Sequence, residues 1–151
     1  MEAYVPAPLK FLHKPDLGIL LLRVGIGVVG IFHGSQKLFG IWEGHGISGF
    51  AGYLEKLNVP LPVLNAWLAA LAEFGGGILI LLGFMIRPVA VPFAFTMIVA
   101  WVMGHNASFL KAQGGHDFPF MLALASLALI FTGPGKYSLQ ALLMKKPART
   151  T

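Results

Sequence analysis

With 151 residues, 56% of them hydrophobic and only 11% charged, the chain cannot be an ordinary soluble domain, in which about a quarter of the residues are charged. Its net charge of +5 comes from scattered bases without a basic stripe, which indicates a lipid bilayer and no nucleic acid as the partner. Cysteine is absent, so any redox chemistry needs a bound cofactor, a quinone or a partner protein.

Four apolar segments predict membrane-spanning helices. The first two, Leu17–Phe39 and Val63–Ile86, have the roughly 20 residues that a bilayer requires. The third and fourth, Val89–Met103 and Phe118–Phe131, are several residues shorter. We therefore expect the loop between them, His105–Asp117, to dip toward the membrane and to line protein or water. The sequence predicts an all-α, integral membrane four-helix bundle in which the whole chain forms one domain.

Two shorter segments predict helices at the membrane surface. The segment between the first two spans has apolar residues at near-helical spacing, namely Ile47, Phe50, Leu54 and Leu57. This spacing favours an amphipathic helix, either on the outer membrane surface or packed over the mouth of the bundle. After Gly133-Pro134-Gly135, the segment Tyr137–Leu143 predicts a second interfacial helix, and a basic tail follows it.

The lysines and arginines predict the orientation. Seven fall on one side of the spans: Lys10, Lys14, Arg87, Lys136, Lys145, Lys146 and Arg149. The other side has three: Lys37, Lys56 and Lys111. The positive-inside rule then places both termini in the cytoplasm. In that orientation the three tryptophans lie at the outer ends of their spans, as aromatic-belt residues do.

Charged residues inside the predicted spans are the best indication of function. A charge at the bilayer centre costs about 2.5–3.5 kcal/mol on insertion scales, so it is expected to be paired or to face a wet cavity. Several polar and small residues of the first span fall on one helical stripe: Arg23, Gly27, Gly30, Gly34 and Lys37, with His33 at its edge. Since small residues let another helix approach closely, this stripe is expected to face the bundle interior.

Glu73 is the acid of the second span, and Gly75–Gly77 follow it. We expect its carboxylate to pair with Arg23, His33 or Lys37. Such a pair could serve the function or could simply fix helix packing, and a buried pair is weak evidence for stability.

The histidines suggest proton chemistry. Four of the five fall on the predicted outer side: His33, His45, His105 and His116. Imidazoles beside carboxylates can relay protons or bind a divalent metal, but no HxxxH or Glu-x-x-His pair is present, so no metal ligand is assigned. A quinone pocket requires only a His or an acid near each carbonyl oxygen and an apolar slot.

The motifs resemble those of a known family in their order and spacing. They are Leu22-Arg23-Val24-Gly25-Ile26-Gly27, His33-Gly34-Ser35-Gln36-Lys37-Leu38, Phe50-Ala51-Gly52-Tyr53-Leu54, Leu71-Ala72-Glu73, Gly83-Phe84-Met85-Ile86-Arg87-Pro88 and Gly133-Pro134-Gly135-Lys136-Tyr137-Ser138. From about Leu17 to Leu143 the chain is similar to DoxX family membrane proteins. The resemblance implies a small four-helix protein of the bacterial or archaeal cytoplasmic membrane. Its archetype is a subunit of a thiosulfate:quinone oxidoreductase, other members look like parts of complexes handling thiol or oxidative stress, and distant relatives act as cargo receptors or assembly chaperones.

Two hypotheses of function stay open. In the first, the chain is a subunit of a redox complex with a quinone as its possible cofactor. Its candidate catalytic residues are His33, Glu73 and His105, and its candidate substrate- or quinone-binding residues are Arg23, Lys37 and Gln36. In the second, the chain is a non-enzymatic scaffold whose charged stripe docks a partner span. A second copy or a redox partner subunit is expected in the first case, and solute transport is disfavoured because no inverted repeat is evident.

Overall fold

The computed structural model describes residues 13–103 and 117–144, and within these segments all regular structure is helical. The helices are α1 (Pro15–Phe39), α2 (Gly46–Lys56), α3 (Pro62–Leu82), α4 (Ile86–Met103), α5 (Asp117–Thr132) and α6 (Leu139–Leu143). The predicted all-α class is confirmed. By length and composition, α1, α3 and α4 can each cross a membrane, whereas α5 is apolar but has only 16 residues. The fourth span therefore stays a prediction.

Prolines and glycines set the helix boundaries. Pro15 and Pro62 occupy the first turns of α1 and α3, where a missing N–H costs no hydrogen bond. Helix α3 ends four residues before the predicted end of the second span, because Gly83 (φ 72°) and Met85 (φ 51°) have left-handed backbones. Helix α4 begins three residues before the predicted start of the third span, and Pro88 fits within its first turn.

The glycines of α1 and α3 allow the two helices to pack closely. A Cβ atom on Gly34 would lie 2.4 Å from the backbone nitrogen of Phe74, and one on Gly77 would lie 2.8 Å from that of Ile31. No side chain fits at these two positions, so the backbones themselves are in contact. The predicted inward stripe is confirmed by burial, since Arg23, Gly27, Gly30 and Gly34 are all buried. Of the three glycines after Glu73, Gly77 faces α1, Gly76 faces α4 and Gly75 has open space.

Helix α2 covers the first turns of α3. Because Gly34 of α1 faces Phe74, the start of α3 extends past the end of α1 at Phe39. There Ala51 and Leu54 of α2 are buried together with Ala66 of α3. The predicted short helix is thus present, and its contacts agree with the alternative in which it packs on the bundle.

Helices α4 and α5 run antiparallel and return the chain to its starting end. The tilted rings of Trp101 and Phe120 are in contact at one end of this pair, with 4.9 Å between their centroids. At the other end Arg87 Nε donates to the carbonyl oxygen of Ile130. The backbone nitrogen of Lys136, after α5, donates to Asp16 at the start of α1. The start of α1, the α3–α4 turn and the segment after α5 lie at one end of the bundle, which we call the Arg23 end. The opposite end, with the end of α1, α2 and the start of α3, is the Lys37 end.

Candidate functional site

A buried ion pair joins α1 to α3. Lys37 Nζ donates to the Oε2 oxygen of Glu73 and forms a salt bridge with it. The carboxylate side chain is 2% exposed and the lysine side chain 23% exposed. The ammonium also lies 5.2 Å from the centroid of the Phe50 ring on α2, a cation–π distance. The sequence left three possible partners for Glu73, and the structure selects Lys37.

The position of Lys37 suits a cation. It lies in the last turn of α1, where the unpaired carbonyl groups give the helix terminus a partial negative charge. Glu73 lies near the middle of α3, and the long lysine stem reaches it from the helix end. The pair therefore places a carboxylate inside the bundle while keeping its counterion close to the Lys37 end.

Gln36 positions His33 one turn along α1. Its amide nitrogen donates to the carbonyl oxygen of Trp42, so its Oε1 oxygen faces Nδ1 of His33 at 3.1 Å. When Nδ1 carries the proton and donates to this oxygen, the neutral ring has Nε2 free as an acceptor. Trp42 itself has a left-handed backbone, φ 54°, in the loop between α1 and α2. Gln36, proposed from the sequence as a ligand-binding residue, thus holds the histidine and this loop together.

A cavity of about 130 Å³ adjoins the ion pair. Four helices line it: Val29, Gly30, His33 and Lys37 from α1, Glu73 from α3, Phe93, Met97 and Ala100 from α4, and Phe118, Pro119 and Leu122 from α5. The polar side chains come from α1 and α3, whereas α4 and α5 contribute an apolar wall. An apolar cavity of about 150 Å³ is known to accept benzene, so this one has the size of a single six-membered ring.

A second, more open cleft lies at the Lys37 end. It has a volume of about 270 Å³ and is lined by the end of α1, the α1–α2 loop and α2, with His45, Phe50 and Tyr53 among its walls. Among the described residues, Lys37 is the one whose side chain lines both this outer cleft and the inner cavity. The ion pair therefore lies between the two spaces.

Arg23 is not part of this site. Its side chain is buried, and its guanidinium donates four hydrogen bonds to backbone carbonyl oxygens at the Arg23 end. Two of the acceptors, Ile80 and Leu81, belong to the last turn of α3, and the others are Pro134 and Tyr137. The carbonyl oxygen of Ile80 also accepts from the backbone nitrogen of Gly83. Glu73 pairs with Lys37 and not with Arg23, and four of the five N–H groups of Arg23 donate to backbone oxygens. A role of Arg23 in holding an anion stays a prediction.

The position of the Arg23 side chain also explains why the residue after α3 is a glycine. A Cβ atom on Gly83 would lie 2.5 Å from the guanidinium carbon of Arg23, and the backbone at this residue is left-handed. The arginine on α1, the glycine after α3 and the loop after α5 therefore form one structural unit, although they are far apart in sequence.

The predicted site residues separate into three groups. The structure brings His33, Lys37 and Glu73 to the cavity, with Gln36 behind the histidine. Arg23 lies at the other end, and His105 falls outside the described residues. The carbonyl-binding role of Arg23 was missed, and its sequence signal was the Gly83 helix terminus on the facing span. The role of Gln36 was also missed, although its i, i+3 spacing from His33 places both on one helix face.

Comparison with known proteins identifies the family. A family model described as DoxX matches residues 18–106. The inner membrane protein YqjF of Escherichia coli (strain K12) is 37% identical over 139 residues, covering 87% of this chain and 95% of that protein. The inner membrane protein YphA of the same organism is 37% identical, covering 80% of this chain and 88% of YphA. A Bacillus subtilis (strain 168) protein named "Putative oxidoreductase CatD" is 33% identical, covering 86% of this chain and 90% of that protein.

No solved structure matches the chain. The family model covers more than half of its residues, and the bacterial relatives match over most of their own length. Two of these relatives are inner membrane proteins by name, and three helices in the described part of this chain can span a bilayer by length and composition. The chain therefore belongs to the DoxX family and is a multi-pass inner membrane protein.

Proposed function

We propose that the chain is a four-span subunit of a quinone-linked redox complex in the inner membrane, with its quinone ring in the cavity beside Lys37 and Glu73. Its reaction concerns sulfur compounds, thiols or oxidative stress, as the family resemblance implies. The chain acts with a partner subunit or a second copy, because it has no cysteine and its own side chains supply only acid–base groups.

In this proposal α5 is the fourth span and both termini are cytoplasmic. Its 16 residues extend about 24 Å at 1.5 Å per residue, somewhat less than the roughly 30 Å hydrocarbon core. Local thinning or flanking residues can accommodate such a difference at modest cost. The contact of Lys136 with Asp16 supports an even number of crossings, since it joins the start of α1 to the segment after α5. The excess of bases at this Arg23 end then indicates the cytoplasmic side.

The observation that carries the proposal is the arrangement of three titratable side chains around a ring-sized cavity. Lys37 is a donor for a quinone carbonyl oxygen, while His33 can accept or donate a proton at the same polar wall. Imidazole is the side chain that ordinarily changes charge between pH 5 and 8, as proton exchange with a quinol requires. Glu73 supplies the counterion of the lysine inside the bundle. The apolar wall from α4 and α5 suits the face of the ring.

The support for a redox role comes from the name of one relative. One relative is named "Putative oxidoreductase CatD", which concerns that protein and favours, by similarity, a redox role here. In the scaffold hypothesis the charged stripe of α1, which also carries the packing glycines, docks a partner span. Within this chain α3 already covers Gly27, Gly30 and Gly34, so a scaffold would need a different face.

The test measures quinone that copurifies with the protein. The His33→Ala variant and wild type are extracted from the same strain in mild detergent, and bound quinone is quantified per protein by chromatography and mass spectrometry. Loss of one hydrogen bond of about 1–1.5 kcal/mol should lower quinone affinity roughly five- to tenfold. The matched control is His45→Ala, because His45 is exposed, lies at the same end and does not line the cavity.

A second variant tests the shape of the cavity. Ala100→Leu enlarges a side chain in its apolar wall and should displace the ring without changing any polar group. Full quinone occupancy in both His33→Ala and Ala100→Leu would contradict the proposed pocket, and the ion pair would then be structural. A partner that still copurifies with quinone-free variants would favour the scaffold.

A further inference from the structure

A groove at the Arg23 end belongs to none of the features described above. It has a volume of about 370 Å³ and lies between the α3–α4 turn and α6. Its walls include Phe84, Met85, Arg87, Gln140, Leu143 and Met144. No acidic residue of the described chain lines it. The groove lies at the opposite end of the bundle from Lys37 and Glu73.

The groove is held open by specific hydrogen bonds. The backbone nitrogen of Met85 donates to Oε1 of Gln140, and the backbone nitrogen of Gln140 donates to the carbonyl oxygen of Gly83. Ser138 caps α6, accepting from the backbone nitrogen of Ala141. These contacts fix a helix of only five residues against the α3–α4 turn, although none of its residues is buried.

Arg87 supplies a positive charge and has unused hydrogen-bond donors. Its Nε group donates to the carbonyl oxygen of Ile130, which anchors the side chain on α5. Within the described residues, no hydrogen-bond acceptor contacts its two terminal nitrogens, and the residue is exposed. The two terminal nitrogens of such an anchored guanidinium can donate side by side to two oxygens of a phosphate group.

The other wall of the groove is apolar and exposed. Its residues Leu143 and Met144 are 66% and 71% exposed at the end of α6, and Leu142 beside them, outside the groove, is 68% exposed. In the sequence this surface is followed by Lys145, Lys146 and Arg149. Apolar side chains beside clustered bases are the combination that binds an anionic lipid surface.

We propose that this groove binds an anionic phospholipid, independently of the function proposed above. The terminal nitrogens of Arg87 contact the lipid phosphate, and the acyl chains pack on Leu143, Met144 and Met85. Phosphatidylglycerol has one net negative charge and no cationic group, so its headgroup complements the charge of the groove. A zwitterionic lipid places an ammonium next to the phosphate and is expected to bind less well to a groove lined by a base and no acid.

The test is lipid-dependent thermal stability of the full chain in detergent. Phosphatidylglycerol should raise the melting temperature of the wild type more than phosphatidylcholine does at the same concentration. For Arg87→Gln the phosphatidylglycerol concentration giving half of this rise should increase by at least about fivefold. Lys136→Gln is the matched control, because it removes one charge at the same end from a residue that does not line the groove. Arg87→Lys keeps the charge without the fork and should show an intermediate increase, so a poorly folding Gln variant does not end the test.

Three results would overturn the proposal. Equal losses in Arg87→Gln and Lys136→Gln would show that diffuse surface charge, not the groove, selects the lipid. Equal stabilisation of the wild type by both lipids would show that no anionic headgroup is recognised. Stabilisation by inorganic phosphate alone, lost in Arg87→Gln, would show a phosphate site that needs no lipid.

Discussion

Removing the two partners of the ion pair should have unequal effects on stability. We consider Lys37→Met, Glu73→Met and the double variant. After Lys37→Met, the Glu73 carboxylate stays 2% exposed, and no other hydrogen-bond donor among the described residues contacts it. After Glu73→Met, the lysine side chain is already 23% exposed and lines the outer cleft, so its ammonium can turn toward water.

The magnitudes follow from this difference in exposure. An uncompensated buried charge costs about 3–5 kcal/mol, which is our expectation for Lys37→Met. Glu73→Met should cost about 1–2 kcal/mol, because solvation replaces most of the lost attraction. Replacing both charges with apolar side chains is often neutral, so the double variant should be more stable than Lys37→Met alone. At about 2–4 °C per kcal/mol, the two single variants should differ by several degrees in melting temperature.

The assay is thermal unfolding of the three variants and the wild type in one detergent, followed by fluorescence-detected size exclusion. The double-mutant cycle gives the coupling free energy between positions 37 and 73. A Glu73→Met loss that equals or exceeds the Lys37→Met loss would refute the argument from exposure. Strictly additive losses would refute the pair itself.

Two further predictions concern packing and topology. Gly34→Ala should destabilise the protein by about 1–3 kcal/mol, because its Cβ would meet the Phe74 backbone. Gly25→Ala on the same helix has open space and should be neutral or slightly stabilising. Equal melting temperatures of the two variants would contradict the close approach of α1 and α3. Alkaline phosphatase fused after Asn58 should be active and after Met144 inactive, since only an outer fusion reaches an oxidising compartment; the reverse pattern would contradict the cytoplasmic placement of the Arg23 end.

The sequence predicted the helices well because apolar length and periodicity determine them. The inward stripe of α1 followed from the spacing of its glycines and charges, and burial of Gly27, Gly30 and Gly34 confirms it. The partner of Glu73 could not be derived in the same way. Arg23 and Lys37 lie on one stripe about 21 Å apart, so the choice between them depends on the register of α1 against α3. That register is set by contacts such as Gly34 with Phe74, which periodicity within one helix does not specify.

The two charges of the α1 stripe are balanced by different kinds of partner. Arg23 is balanced by backbone dipoles, because four of its N–H groups donate to carbonyl groups at the end of α3 and in the loop after α5. Four of its five N–H groups are bonded to backbone, so Arg23 joins α1 to the end of α3 and to the loop after α5. Lys37 instead has a carboxylate partner, a histidine one turn away and open space on both sides. This difference in partner, rather than the cost of burial common to both, assigns the candidate site to the Lys37 end.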